Sequence, residues 1–121
     1  LVPHIIADQD PEVTETIALD PADMQVVSDG MRRVVTEGTG HYLNFPGVAV
    51  AAKTGTAQVG NRNQFVNSWA IGFFPYEKPR YAFAVLMESA PNVVGATGAA
   101  YAMGKTIYWM DINAPQYTEI D

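Results

Sequence analysis

Four consecutive residues, Lys53-Thr54-Gly55-Thr56, are the part of this sequence best equipped for chemistry. They lie in a run of small and β-branched residues, Val48–Val59, which reads as a strand with Ala49, Ala51, Lys53 and Gly55 on one side. The lysine gives a fixed positive charge, and the hydroxyls of Thr54 and Thr56 give donors beside it. Gly55 lets a ligand backbone come close and pair with the strand edge. Such a set can hold an anion in a way a helix surface cannot. A solvated lysine between strand threonines would read identically, so the tetrapeptide by itself leaves both open.

Other chemistries are poorly supplied. The chain has no cysteine, which rules out disulfides, thiolate metal sites and a thiol nucleophile. His4 and His41 are its two histidines, too few for a histidine-based catalytic metal centre, and neither has an acid pattern nearby to orient it. No metal or cofactor is expected. Ala99-Ala100-Tyr101-Ala102-Met103-Gly104-Lys105-Thr106 fits a relaxed phosphate-loop pattern after a strand. A phosphate cradle needs a loop of exposed N–H groups, however, and these intervening residues are apolar helix formers.

The elements that must position the lysine follow from pattern. Asp20-Pro21 is an N-cap with proline at the first helical position, and Met24, Val27, Met31, Val34 and Val35 continue at helical spacing. Pro21–Glu37 is therefore an amphipathic helix, ended by Gly38-Thr39-Gly40. Before it, Val2–Ala7 and Val13–Leu19 read as extended stretches. After it, His41–Gly47 is a loop. Val48–Val59, Ser68–Phe74 and Tyr81–Met87 are three strands, the last two joined by a short link, Tyr76–Arg80, that predicts an antiparallel hairpin. Tyr81–Met87 is apolar at every position, which predicts a strand covered on both faces. Thr97–Asp111 is a closing helix whose small residues suit packing on the Ala82/Ala84 face, with Ala114–Asp121 as a tail. Met24, Met31, Met103 and Met110 read as core, and Trp69 as filling between sheet and helix. The first helix has little sheet of its own to lie on, which points to a partner segment outside the chain.

One hundred and twenty-one residues make one small domain or a piece of a larger one. Hydrophobic residues at 48% against 17% charged exclude a disordered chain. The net charge of −6 argues against nucleic acid or anionic lipid as main partner. The acids crowd the first 37 residues, while the stretch from Gly38 to Met110 is mildly basic and suits a carboxylate-bearing ligand as well as a plain solvated surface. No apolar run approaches the roughly 18 residues of a membrane span. If the mature protein works outside the cytoplasm, its address and anchor are expected upstream of Leu1.

The stretch Ala51-Ala52-Lys53-Thr54-Gly55-Thr56-Ala57-Gln58 closely resembles the penicillin-binding transpeptidases, whose third signature is Lys-Thr-Gly on a strand edging the active site. The resemblance extends through Gly30-Met31…Val34-Val35…Gly38-Thr39, Trp69…Gly72-Phe73-Phe74-Pro75, Pro79…Ala82…Val85…Glu88 and the paired alanines Ala99-Ala100. It covers nearly the whole chain and is to the C-terminal part of a class B penicillin-binding protein of the elongation type. Ala52 stands where many members have glycine, and no proline follows the paired alanines.

The resemblance implies an α+β fold, three C-terminal antiparallel strands flanked by helices in a partial β-lactamase/transpeptidase-like domain. It implies a D,D-transpeptidase that cross-links peptidoglycan stem peptides through an acyl-serine and is blocked by β-lactams that mimic D-Ala-D-Ala. By it, Lys53 binds the substrate carboxylate, Thr54 offers its hydroxyl to the same group, and Thr56 gives a backbone N–H to the oxyanion hole. Gln58 shares that face and lines the cleft. The partners implied are the stem peptide, β-lactams, the upstream part of the same domain and other cell-wall synthesis proteins, at the periplasmic or outer face of the membrane. The other two signatures are missing. Ser28, Ser68 and Ser89 are followed three residues on by Met31, Ile71 and Asn92, so there is no Ser-x-x-Lys, and no Ser-x-Asn occurs. Tyr42-Leu43-Asn44 spells a Tyr-x-Asn variant, too close to Lys53 to serve. The nucleophile and base are therefore expected elsewhere, and the fragment alone is expected to be inactive. A penicillin-sensing or transpeptidase-like scaffold, or a relative of the serine β-lactamases, would keep the same strand.

Overall fold

The computed structural model describes residues 12–91 and 98–119. Asp20 caps the first helix, α1 (Pro21–Thr36), its side chain accepting from the Ala22 N–H at 2.8 Å, with Pro21 at the first helical position. A single 3-10 turn at His41–Leu43 leads into three strands, β1 (Ala51–Val59), β2 (Phe65–Phe74) and β3 (Tyr81–Pro91). They form one antiparallel sheet in the order β1-β2-β3, with Lys53 opposite Ile71 and Ile71 opposite Ala84. Helix α2 (Ala99–Asn113) follows, then a second 3-10 turn at Pro115–Tyr117. The three strands and two helices agree with the sequence reading, and the hairpin between β2 and β3 is antiparallel as its short link predicts.

Strand alternation gives the sheet two unlike faces. Ala52, Ala70, Phe74, Phe83, Val85 and Met87 share one face with Ile107, Ala99 and Ala100 of α2, and with Val35 of α1 and Leu43 they build the core. The other face carries Trp69, Ile71 and Leu86, which remain 41%, 48% and 38% exposed. Among the described residues Tyr81–Met87 is thus not covered on both faces, because Ala82, Ala84 and Leu86 are exposed. Helix α2 likewise does not take the Ala82/Ala84 face. Both faces are apolar, and the helix lies on the one that carries Phe83, Val85 and Met87 of β3 with Ala70 and Phe74 of β2. Trp69 accordingly stands open on the face opposite α2 rather than between sheet and helix.

The small residues of α2 serve a different neighbour. A Cβ at Gly104 would stand 2.2 Å from the Tyr42 carbonyl oxygen, so this glycine lets the helix touch the 3-10 turn. Gly104-Lys105-Thr106 lies inside α2, with the Thr106 hydroxyl donating to the Ala102 carbonyl at 3.1 Å, and forms no phosphate loop. Three other expectations change. Residues 12–20 form no strand, and Val13, Ile17 and Leu19 are more than half exposed. Residues 114–119 are no loose tail, since Thr118 is buried and the Tyr117 ring meets Tyr81. Met24 is 43% exposed rather than core, whereas Met103 and Met110 pack against the core as expected. Val2–Ala7 and His4 lie outside the described residues. Among the described residues no helix is long and apolar enough to cross a membrane.

Candidate active-site wall

Among the described residues strand β1 pairs with β2 on one side and no strand pairs with its other edge. Three hydrogen bonds fix which backbone groups face that edge. The Ala49 carbonyl accepts from the Tyr76 N–H at 2.8 Å, beyond the end of β2. The Val50 carbonyl instead accepts from the Arg32 guanidinium of α1 at 2.9 Å. The Thr54 carbonyl accepts from the Lys53 ammonium. Odd-numbered residues therefore point their backbone groups to β2 and even-numbered ones away from it. In an antiparallel strand a residue's N–H and C=O point the same way, so Thr54 and Thr56 present theirs to the open edge.

Side chains alternate across the sheet, so Lys53 and Gly55 belong to the Trp69/Ile71 face and Thr54, Thr56 and Gln58 to the α2 face. The sequence motif is thus split by the strand, and the Lys53 ammonium rejoins it by curling over the edge to the Thr54 carbonyl. Gly55 is not demanded by packing: a Cβ there would meet only the Trp69 Cβ, at an ordinary 3.5 Å.

On the α2 side the strand borders a shallow cleft of about 200 Å³ walled by Thr39, Tyr42, Thr54, Thr56, Ser68 and Tyr101. The Thr39 and Thr54 hydroxyls lie 2.5 Å apart across its floor. Ser68 accepts the Ala99 N–H at 3.0 Å, satisfying one orphan donor of α2 and holding the helix start against β2. Lys53 is exposed at the edge and does not line this cleft, and Gln58 lies further along the same face, exposed, beyond its walls. Sequence reasoning did not find Thr39, Ser68, Tyr42 or Tyr101 as cleft residues. Gly38-Thr39-Gly40 carries a plain helix-stop signal, and nothing local in the other three marks them. Among the described residues no group of three or more His, Cys, Asp or Glu could hold a metal ion.

Away from the cleft, α1 is tied to the β2–β3 link. The Tyr76 hydroxyl donates to Asp29, and the Gln25 amide donates to the same carboxylate at 2.6 Å. The Tyr76 hydroxyl, then the Gln25 amide, hold the Asp29 carboxyl below the ordinary carboxylate value against the opposing effect of burial, with the Arg33 charge adding to the lowering. The same bond to Asp29 pushes the Tyr76 phenol up. This latch and the Arg32–Val50 bond hold α1 at the entrance to β1.

An antiparallel sheet with α2 on one face and α1 beside β1, and an edge strand bearing Lys-Thr-Gly beside a cleft, defines an α+β domain whose candidate site is a strand edge. A family described as "Penicillin binding protein transpeptidase domain" matches residues 1–107, and the chain belongs to that family. It is 44% identical over 59 residues to the peptidoglycan D,D-transpeptidase PbpA of Mycobacterium tuberculosis, an alignment covering 47% of this chain and 12% of that protein. It is 32% identical over 101 residues to the peptidoglycan D,D-transpeptidase MrdA of Acinetobacter baumannii, covering 73% and 15%. The chain thus matches 12% to 15% of the length of these curated relatives. Among solved structures, a D,D-transpeptidase domain from Legionella pneumophila superposes with a TM-score of 0.59 at 25% identity, over 78% of this chain and 36% of that one. Penicillin-binding protein 2B of Streptococcus pneumoniae shares the fold, with a TM-score of 0.70 at 21% identity over 90% and 19%.

Proposed function

We propose that this chain is one wall of a peptidoglycan D,D-transpeptidase site, completed by parts of the same domain that carry the serine nucleophile and its base. The observation that supports the reading best is the free edge of β1, where the Thr54 and Thr56 backbone groups face outward under the Lys53 ammonium. A stem peptide ending in D-Ala-D-Ala is an extended chain with a carboxylate, and it can pair with such an edge as an added strand. Lys53 and the Thr54 hydroxyl bind the carboxylate, with charge-assisted bonds roughly twice as strong as neutral ones. The outward Thr56 N–H donates to the oxyanion that forms when serine attacks the scissile carbonyl. That donor stabilises the tetrahedral intermediate more than the substrate, and so acts on the rate. Gln58 extends the wall along the peptide.

The chemistry is acyl transfer. Serine oxygen bonds to the penultimate D-Ala carbonyl carbon, the terminal D-Ala leaves with a proton as the free amino acid, and an acceptor amine then displaces the serine. A β-lactam enters the same first step and keeps its leaving group tethered. The exposed Trp69/Ile71/Leu86 face beside Lys53 is the surface on which the lobe bearing the nucleophile packs. The site works at the periplasmic or outer face of the cell membrane, held there by an anchor outside these residues, among other cell-wall synthesis proteins. The test is the acylation rate of the complete protein by fluorescent penicillin, compared between wild type and Thr56→Pro. Removing the Thr56 N–H is expected to slow acylation about 10²–10³-fold. An unchanged rate in a folded Thr56→Pro protein would remove Thr56 from the oxyanion hole.

A further inference from the structure

We infer that Thr39 is a positioning residue for carboxylate recognition, acting through the Thr54 hydroxyl; this rests on the reading of the β1 edge given above. The two hydroxyls are 2.5 Å apart, and each has one proton to give. If Thr54 spends its proton on Thr39, it has none for a ligand. When a carboxylate, which only accepts, occupies the edge, Thr54 must turn its proton to the ligand, and the pair survives only with Thr39 as donor. Thr39 then fixes the Thr54 rotamer and polarises its O–H toward the anion, as successive hydrogen bonds reinforce one another.

The loop is built to hold Thr39 there. The Gly40 N–H donates to the Val34 carbonyl at 2.9 Å, closing the end of α1 around the threonine. A Cβ on Gly38 would stand 3.0 Å from that same carbonyl. Thr39 and Thr54 both line the cleft, and Thr54 also belongs to the β1 edge, so an anion seated at that edge against the Thr54 hydroxyl lies next to the pair.

The experiment is a double-mutant cycle in the complete protein, read as the second-order rate of acylation by benzylpenicillin and by its methyl ester, which lacks the carboxylate charge. Thr39→Val is expected to slow acylation by benzylpenicillin roughly three- to tenfold, the loss of one ordinary hydrogen bond. Thr39→Ser restores the rate to within about twofold, and Thr39→Val costs nothing further in a Thr54→Val background. With the methyl ester the Thr39→Val penalty largely vanishes, which a merely structural defect would not do. A wild-type rate for Thr39→Val, a penalty that adds fully to that of Thr54→Val, or an equal penalty on the ester overturns the inference while leaving Lys53 and the edge untouched. A Lys53→Ala protein acylated at the wild-type rate overturns the carboxylate reading itself, and this inference with it.

Discussion

Replacing Lys53 by alanine takes a positive charge from the β1 edge and nothing from the core, because the side chain is exposed. The complete Lys53→Ala protein should therefore melt within a few degrees of wild type but acylate about ten- to a hundredfold more slowly, as expected for losing a bond to a charged ligand. Paired melting and acylation measurements check both halves at once. Asp29 and Tyr76 behave oppositely: they bear on stability and not on the site. Asp29 titrates lower in the fold, so its contribution is present above the ordinary carboxylate pKa of about 4 and is lost as pH falls through the lowered value. Tyr76 titrates higher in the fold, so its contribution is present below about pH 10 and is lost as pH rises through the raised value. Tyr76→Phe should destabilise the protein at neutral pH, and the difference from wild type should shrink at both extremes. A pH series of thermal melts reads this directly; a difference constant from pH 3 to 11 would sink it.

Among the elements, a close join is where α2 crosses the 3-10 turn at Gly104. Alanine gains about 1 kcal/mol over glycine inside a helix. At this position its Cβ would meet a backbone carbonyl at 2.2 Å, which has no rotamer to escape through. Overpacking costs about 1–3 kcal/mol, so Gly104→Ala should lower stability despite the better helix former; a chemical-denaturation midpoint at or above wild type would refute the contact. The helices and strands were legible because each carries its own period and its own stop: Asp20-Pro21 opens α1, and Pro75 ends β2. What was not legible is which face of a sheet a helix takes. Tyr81–Met87 is apolar throughout, so its pattern fits burial on both faces, and with Leu86 beside Ala82 and Ala84 and Phe83, Val85 and Met87 opposite, nothing in it marks the face that α2 takes. The cleft was hidden for a similar reason. Thr39 and Thr54 are 15 residues apart and meet through tertiary structure, whereas Lys53-Thr54-Gly55-Thr56 is contiguous and could be read directly.

At the scale of the whole molecule, α2 covers one face of the sheet, and no described element covers Trp69, Ile71 and Leu86 on the other. Trp69, Ile71 and Leu86 remain partly in water beside the lysine of the motif. Among the described residues an unpaired strand edge and a partly exposed apolar face meet at Lys53. None of Ser28, Ser68 and Ser89 has a lysine three residues on, and Ser68 already accepts the Ala99 N–H. The 121-residue chain alone should accordingly take up no penicillin label under conditions in which the complete protein is labelled. The most direct test of the central claim is the intact mass of the complete protein after exposure to benzylpenicillin, followed by peptide mapping. The account predicts one covalent adduct, on a serine outside these residues, forming far more slowly in Lys53→Ala. A folded protein with no adduct, or an adduct on Ser28, Ser68 or Ser89, would contradict it.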